Sequence, residues 1–122
     1  MSIHLKTLTL NTAQLEDMVS FFRAVGVELK QQTVNKGGAV FKGQISGTEL
    51  NLMSIPRREN KTSPDLAFQL EVHSLTKCES ELKKISRVQF IMEITELPHG
   101  KMMVVLDPDG HSIEIVEKTS VS

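Results

Sequence analysis

Alternating hydrophobic and polar residues mark several short stretches of this chain as β-strands. In the first stretch, Leu8 and Leu10 share one face while Thr7 and Thr9 share the other, as in a half-buried strand. Three more strand-like stretches follow a helical segment, with glycine-containing turns between them, at about 27–34, 39–45 and 48–55. The first half is therefore predicted to fold in the order β-α-β-β-β.

The segment between the first two strands has the spacing of an amphipathic helix. Asn11-Thr12 offers a cap where the helix begins, and Gly26 is placed to end it. The apolar residues that recur three and four positions apart are Leu15, Met18, Val19, Phe22 and Val25. One face of this helix is expected to pack against the sheet.

The same order of elements recurs in the second half of the chain. Ser74 offers a cap for a second helix, whose buried stripe is Leu75, Cys78, Leu82 and Ile85. Strands are predicted around this helix at about 66–72, 88–95, 101–106 and 112–116. The single cysteine belongs to the apolar stripe, so it is expected to pack in the core rather than act as a nucleophile.

The two halves align with each other residue by residue. One constant shift lays Leu8 over Phe68, and a slightly longer one lays Asn51 over Glu114. This duplication predicts a single α+β domain over residues 1–122, in which two βαβββ modules form paired curved mixed sheets with the helices outside. Module one spans about 3–55, a polar proline-flanked linker spans 56–64, and module two spans about 65–117.

Composition narrows the range of partners. The chain has 122 residues, of which 39% are hydrophobic and 24% charged, and its net charge of −1 gives no reason to expect nucleic acid or a membrane. One cysteine agrees with a reducing compartment, and we expect the protein to be cytoplasmic. Five phenylalanines, without tryptophan or tyrosine, leave few residues for stacking on a flat ligand.

The chain closes on a turn signal followed by a strand. Asp107-Pro108-Asp109-Gly110 has the residues of a tight turn, and the next segment alternates. Ile113 and Ile115 therefore share one face, while Glu114 lies on the other. A carboxylate between two isoleucines must face either water or a cavity that uses a charge.

This apolar strand, DPDG turn and Ile-Glu-Ile strand, together with the duplicated unit, resemble the glyoxalase/bleomycin-resistance/extradiol-dioxygenase families, the vicinal oxygen chelate superfamily. The resemblance covers about Ile3 to Glu117. It implies that Glu114 points into a cupped sheet, where the family's glutamate is usually a metal ligand. It also implies a small-molecule ligand and a homodimer, in which a second chain completes the cup or covers sheet edges.

In the metal-using members, the first and last strand of each copy supply the ligands. Alternation and the repeat put these positions at Thr7, Asn51, Ala67 and Glu114. Zinc, nickel and iron prefer imidazole nitrogens and carboxylates, and only Glu114 has such a group. The two histidines and one carboxylate of an extradiol dioxygenase are absent from this set.

Three neighbouring residues complete the predicted ligand surface. Glu49 shares a strand face with Asn51, and Gln69 shares one with Ala67, so a small error in register would bring either into a ligand position. Of the pair Met102-Met103 only one residue faces the cup, and Met103 is assigned to it. The four histidines, including His99 and His111, are expected at the surface, and Asp107 and Asp109 are expected only to form the turn.

Three functions remain compatible with this pattern. We favour a small-molecule-binding member of the superfamily with a degenerate metal site and no cofactor. The alternative implied by the resemblance is a lactoylglutathione lyase-like lyase or isomerase with zinc, nickel or iron, acting through Glu114 as metal ligand and base. In a third, metal-free interpretation, Glu114 alone is a general base. Whether the protein is an enzyme stays open.

Overall fold

Two copies of the same unit follow each other in the computed structural model, which describes residues 3–33, 39–55 and 66–118. Module one contains β1 (Thr7–Thr12), α1 (Leu15–Val25), β2 (Leu29–Thr33), β3 (Ala39–Ile45) and β4 (Thr48–Ser54). Module two contains β5 (Ala67–Val72), α2 (Leu75–Leu82), β6 (Gln89–Leu97), β7 (Gly100–Leu106) and β8 (Ser112–Glu117). The predicted linker at 56–64 and its basic residues lie outside the described residues.

Each module forms one four-stranded mixed sheet, and the two sheets have the same strand order. The first is β1-β4-β3-β2 and the second is β5-β8-β7-β6. In both, the first and last strands of the module run parallel, while the remaining pairs are antiparallel. The α+β class and the duplicated βαβββ unit predicted from the sequence are confirmed.

The strand register shows which residues lie on each of the two faces of the module-two sheet. Phe68 pairs with Ile113, and Met103 pairs with Ile115. Both isoleucines and Met103 are fully buried against the helices, so this is the helix-covered face. The alternate residues, such as Glu114, lie on the opposite face, which we call the open face.

A single hydrophobic core contains the inward residues of both modules. The two helices contact each other as well as their own sheets. Phe22 of α1 stacks on Phe68 of β5 with ring centroids 6.4 Å apart, so an aromatic pair joins the modules. Cys78 is buried in this core, and burial raises the pKa of its thiol to about 11, which leaves it protonated at neutral pH.

The helix ends follow partly from the local sequence. Gly26 ends α1 in the left-handed conformation with φ 114°, as predicted. Ser74 caps α2 by accepting a hydrogen bond from the backbone N–H of Lys77 at 3.2 Å. The beginning of α1 differs, because β1 continues to Thr12, whose hydroxyl accepts from the backbone N–H of Gln14 at 2.9 Å. None of the helices in the described ranges is long and apolar enough to cross a membrane.

Candidate functional site

Glu114 lies at the centre of the module-two open face. It pairs with Gln69 on one side and with Val104 on the other, so strands β5, β8 and β7 each contribute one residue to this row. The Gln69 amide Nε2 donates a hydrogen bond of 3.0 Å to Oε1 of Glu114. Both side chains are exposed, so the carboxylate is oriented by a neighbour and remains accessible.

On the β7 side of this carboxylate, the side chains of the open face are apolar. Strand β7 is hydrophobic on both faces: Met103 and Val105 are in the core, whereas alternate residues lie half-buried on the open face. A sheet face that meets only water is normally polar. We call the following four side chains the apolar row of the open face: Met102, Val104, Leu106 and Val116. Glu114 is therefore a charge set within an apolar surface.

A groove of about 290 Å³ lies beside Gln69, the hydrogen-bond partner of Glu114, at one end of the module-two sheet. Gln69, Met102 and Val116 form its floor, and Gln69 also donates the hydrogen bond that orients Glu114. Its end is formed by the turn between β6 and β7, where the exposed His99 lies. The groove has room for a small organic molecule.

Met103 does not belong to this surface. Its side chain is 0% exposed and sits in the shared core, where it pairs with Ile115. Alternation puts its neighbour Met102 on the open face, so the prediction that Met103 faces the cup was wrong by one residue. A one-residue error reverses the face of every side chain in a strand.

Module one places its predicted residues on the corresponding open face. Thr7 pairs with Glu49, whereas Asn51 pairs with Thr9, which the sequence analysis did not single out. The Asn51 amide Nδ2 approaches Thr9 Oγ1 at 3.5 Å. The shift that lays Leu8 over Phe68 also lays Thr9 over Gln69, so the repeat carried the signal that identifies Thr9.

The polar pairs Asn51–Thr9 and Gln69–Glu114 each form within one module. In module two, Ala67 pairs with Ser112 and therefore lies beside Gln69 and Glu114 without a functional group. Across the described parts of the chain, no hydrogen bond joins Thr7 or Asn51 to Glu114. Glu114 takes its hydrogen-bond donor from Gln69 of its own module.

The donor set around Glu114 does not fit zinc, nickel or iron. Its paired neighbours are an amide and a valine, and the equivalent module-one pair is an amide and a hydroxyl. These metals need imidazole, thiolate or carboxylate ligands, commonly three from the protein. Among the residues that the structure describes, no group of three or more histidine, cysteine or acidic side chains could hold a metal ion.

The DPDG turn contains a buried, hydrogen-bonded Asp–His pair that the sequence analysis missed. His111 is only 4% exposed and Asp107 only 2%, which corrects the prediction of a surface histidine. The imidazole Nδ1 lies 2.8 Å from Oδ2 of Asp107, while Oδ1 accepts from the backbone N–H groups of Asp109 and His111. Burial raises the pKa of the Asp107 carboxyl, and the hydrogen bonds from His111 act in the opposite direction.

This turn is also attached to the other module. The Gln14 amide Nε2 donates to the carbonyl oxygen of Pro108 at 2.8 Å and to Oδ1 of Asp109 at 3.1 Å. Arg87 in turn donates to the Gln14 side-chain oxygen and lies 3.2 Å from Asp17. These contacts fix the point where β8 begins, and therefore the position of Glu114 along the sheet.

The sequence matches the family model of the Glyoxalase/Bleomycin resistance protein/Dioxygenase superfamily over residues 4–115. This chain belongs to that superfamily. A sequence comparison with curated proteins gives no match.

Solved structures with the same fold are distant in sequence. The hypothetical protein SA1046 from S. aureus is 19% identical with a TM-score of 0.72, and the match covers 97% of this chain and 96% of that one. TnmS3, an antibiotic binding protein from Streptomyces sp. CB03234, is 18% identical with a TM-score of 0.66, covering 98% and 99%. The E144Q glyoxalase I mutant from Zea mays is 16% identical with a TM-score of 0.69, covering 93% of this chain and 46% of that one. These likenesses establish the fold.

The buried Asp107–His111 pair generates a stability prediction. Asp107→Ala leaves two backbone N–H groups and the imidazole without their acceptor, so it should lower the free energy of unfolding by roughly 2 kcal/mol or more. Asp17→Ala is the matched control, because it removes an acid from the exposed Arg87 pair and should cost less than about 1 kcal/mol. Urea unfolding followed by circular dichroism measures both. Equal losses would show that the buried pair does not stabilise the turn.

Proposed function

We propose that this protein binds a small molecule on the module-two open face and has no strong transition-metal site. The observation that carries this proposal is the accessible Glu114 carboxylate, which Gln69 orients within an apolar surface. Apolar pockets with a few oriented polar groups are typical of small-molecule sites. The polar group would fix the ligand's orientation, and the apolar surface would supply most of the buried area.

We further propose that two chains associate to complete the site. Strands β1 and β5 each lie at the edge of their sheet, so their outer backbone groups are available to a second chain. Association through these edges would bring the module-one residues Thr7, Glu49 and Asn51 of one chain towards the module-two open face of the other. The ligand would then lie between an apolar wall and a polar one.

A small-molecule-binding function agrees with one of the structural neighbours, the antibiotic binding protein TnmS3. A second candidate is a lactoylglutathione lyase-like enzyme, which the likeness to maize glyoxalase I favours. That candidate requires a metal held partly by Glu114. The neutral donors at Thr9, Asn51 and Gln69 support the binding function instead.

A ligand screen tests the proposed function directly. Small-molecule fragments would be screened by changes in the amide NMR spectrum, and hits should shift residues of β5, β7 and β8. Glu114→Gln keeps the side chain's shape and removes its charge, so it should weaken polar hits by roughly tenfold or more. Glu16→Gln, on the exposed surface of α1, changes the net charge equally and should have no effect. Hits that leave the open face unshifted would refute the proposal.

Metal analysis separates the two candidate functions. Protein purified without added metal should contain far less than one equivalent of zinc, nickel or iron, because the described residues offer no group of three strong ligands that could hold such an ion. Elemental analysis by mass spectrometry provides the measurement. About one equivalent in the native protein, lost in Glu114→Gln, would instead establish the metal-dependent candidate.

The proposed association predicts the mass in solution. Light scattering should give twice the chain mass of 13.6 kDa, since the free edges of β1 and β5 favour pairing. A mass of one chain at high protein concentration would contradict the assembly, while leaving the module-two surface available as a site within one chain.

A further inference from the structure

The surroundings of Glu114 restrict the chemical class of any molecule that binds over it on the open face. Its Oε1 accepts from Gln69, whereas no donor of the described residues occupies Oε2. Its neighbours Val104 on β7 and Val116 on β8 belong to the apolar row of the open face. A molecule that covers this row also removes the carboxylate from water.

Removing a carboxylate from water without a partner costs more than the burial of a few apolar groups returns. A purely apolar occupant would therefore be rejected at this position, and an anionic one would be repelled. An occupant with a positively charged N–H donor provides the charge-assisted hydrogen bond that Glu114 requires. Its remaining atoms should be apolar, to match the half-buried side chains of β7.

Acidic residues outnumber lysine in the lining of the groove near Gln69. Glu71 and Glu117 line the groove together with Lys101, and Glu117 is already engaged, because its Oε1 accepts from the backbone N–H of Leu75 at 2.9 Å. Lys101 is exposed and is the second residue of β7, next to the β6–β7 turn that lines the groove. The lining therefore contains two carboxylates and one lysine ammonium group.

Module one lacks this combination of groups. Asn51 corresponds to Glu114 in the repeat, and its neighbour on β3 is Lys42, where module two has Val104 on β7. The module-one open face is thus polar and carries a cation at the equivalent position. A preference for a ligand with one positive group and an apolar body would therefore be specific to module two. The fold alone, which both modules share, would not produce it.

We infer that the module-two open face takes a small apolar molecule bearing one ammonium group, with the nitrogen at Oε2 of Glu114 and the hydrocarbon along Met102 and Val104. This inference rests on the binding function proposed above and specifies the class of its ligand. The amine gives the hydrogen bond and the charge, and the apolar row gives the contact area.

A matched pair of probes tests this class. n-Octylammonium and n-octanoate have the same chain length and opposite charge, and each would be titrated into the intact protein below its aggregation concentration, with amide NMR as readout. Octylammonium should shift amides of Gln69, Met102, Glu114 and Val116, with an affinity at least about tenfold above that of octanoate. Glu114→Gln should remove this difference, whereas Glu16→Gln should preserve it.

Each other outcome overturns the inference. If octanoate shifts the same amides with equal or higher affinity, the ligand class is wrong while binding at the open face still stands. If octylammonium shifts only residues elsewhere, or if neither probe shifts the open face, the ammonium class is also wrong. In that case the fragment screen decides independently whether the proposed binding function survives.

Discussion

The alternation of side chains along β8 is the constraint on which the rest of the structure depends. This strand lies inside the module-two sheet, between β5 and β7, and Ile113 and Ile115 fill the shared core. Their burial leaves only the open face for Glu114. A slip by one residue would bury the carboxylate and expose both isoleucines. Each of these two changes would cost on the order of several kcal/mol of folding free energy. The packing of the core therefore fixes the side of the sheet on which the site can lie.

The position of Glu114 along its strand depends on a second set of contacts. The buried Asp107–His111 pair closes the turn before β8, and Gln14 attaches that turn to the helix of module one. Phe22 and Phe68 join the modules through the apolar core. Because both kinds of contact cross between modules, the geometry of the module-two site depends on module one as well.

Duplication gave two sheets with one topology and open faces of different chemistry. The helix-covered faces of both modules are apolar, as the shared core requires. The open faces are free of this requirement, and they differ at equivalent positions: Asn51 beside Lys42 in module one, and Glu114 beside Val104 in module two. Selection on the open faces can change the ligand without disturbing the core, which explains how one fold carries many functions.

Local patterns predicted the features that depend on neighbours in sequence. Alternation gave the face of Glu114, and Gly26 and Ser74 marked a helix end and a helix beginning, because these signals act within a few residues. The burial of His111 was missed, since it depends on tertiary packing around the turn. Thr9, rather than Thr7, is level with Asn51 because the register of β1 is set by β4, far away in sequence. Met103 was misassigned because two adjacent methionines do not reveal which one faces the core.

Thiol labelling along β8 is the most direct test of the central claim. It asks whether Ile113 and Ile115 face the core while Glu114 faces the open side of the sheet. Cys78 is buried, with its pKa raised to about 11, so in the native protein a thiol reagent reports on an introduced cysteine. Glu114→Cys should react at least about 100-fold faster than Ile113→Cys or Ile115→Cys, because reaction of a core thiol requires opening of the structure. Equal rates, or faster reaction at Ile115→Cys, would contradict the account, since Glu114 would then not lie on the exposed side of the sheet.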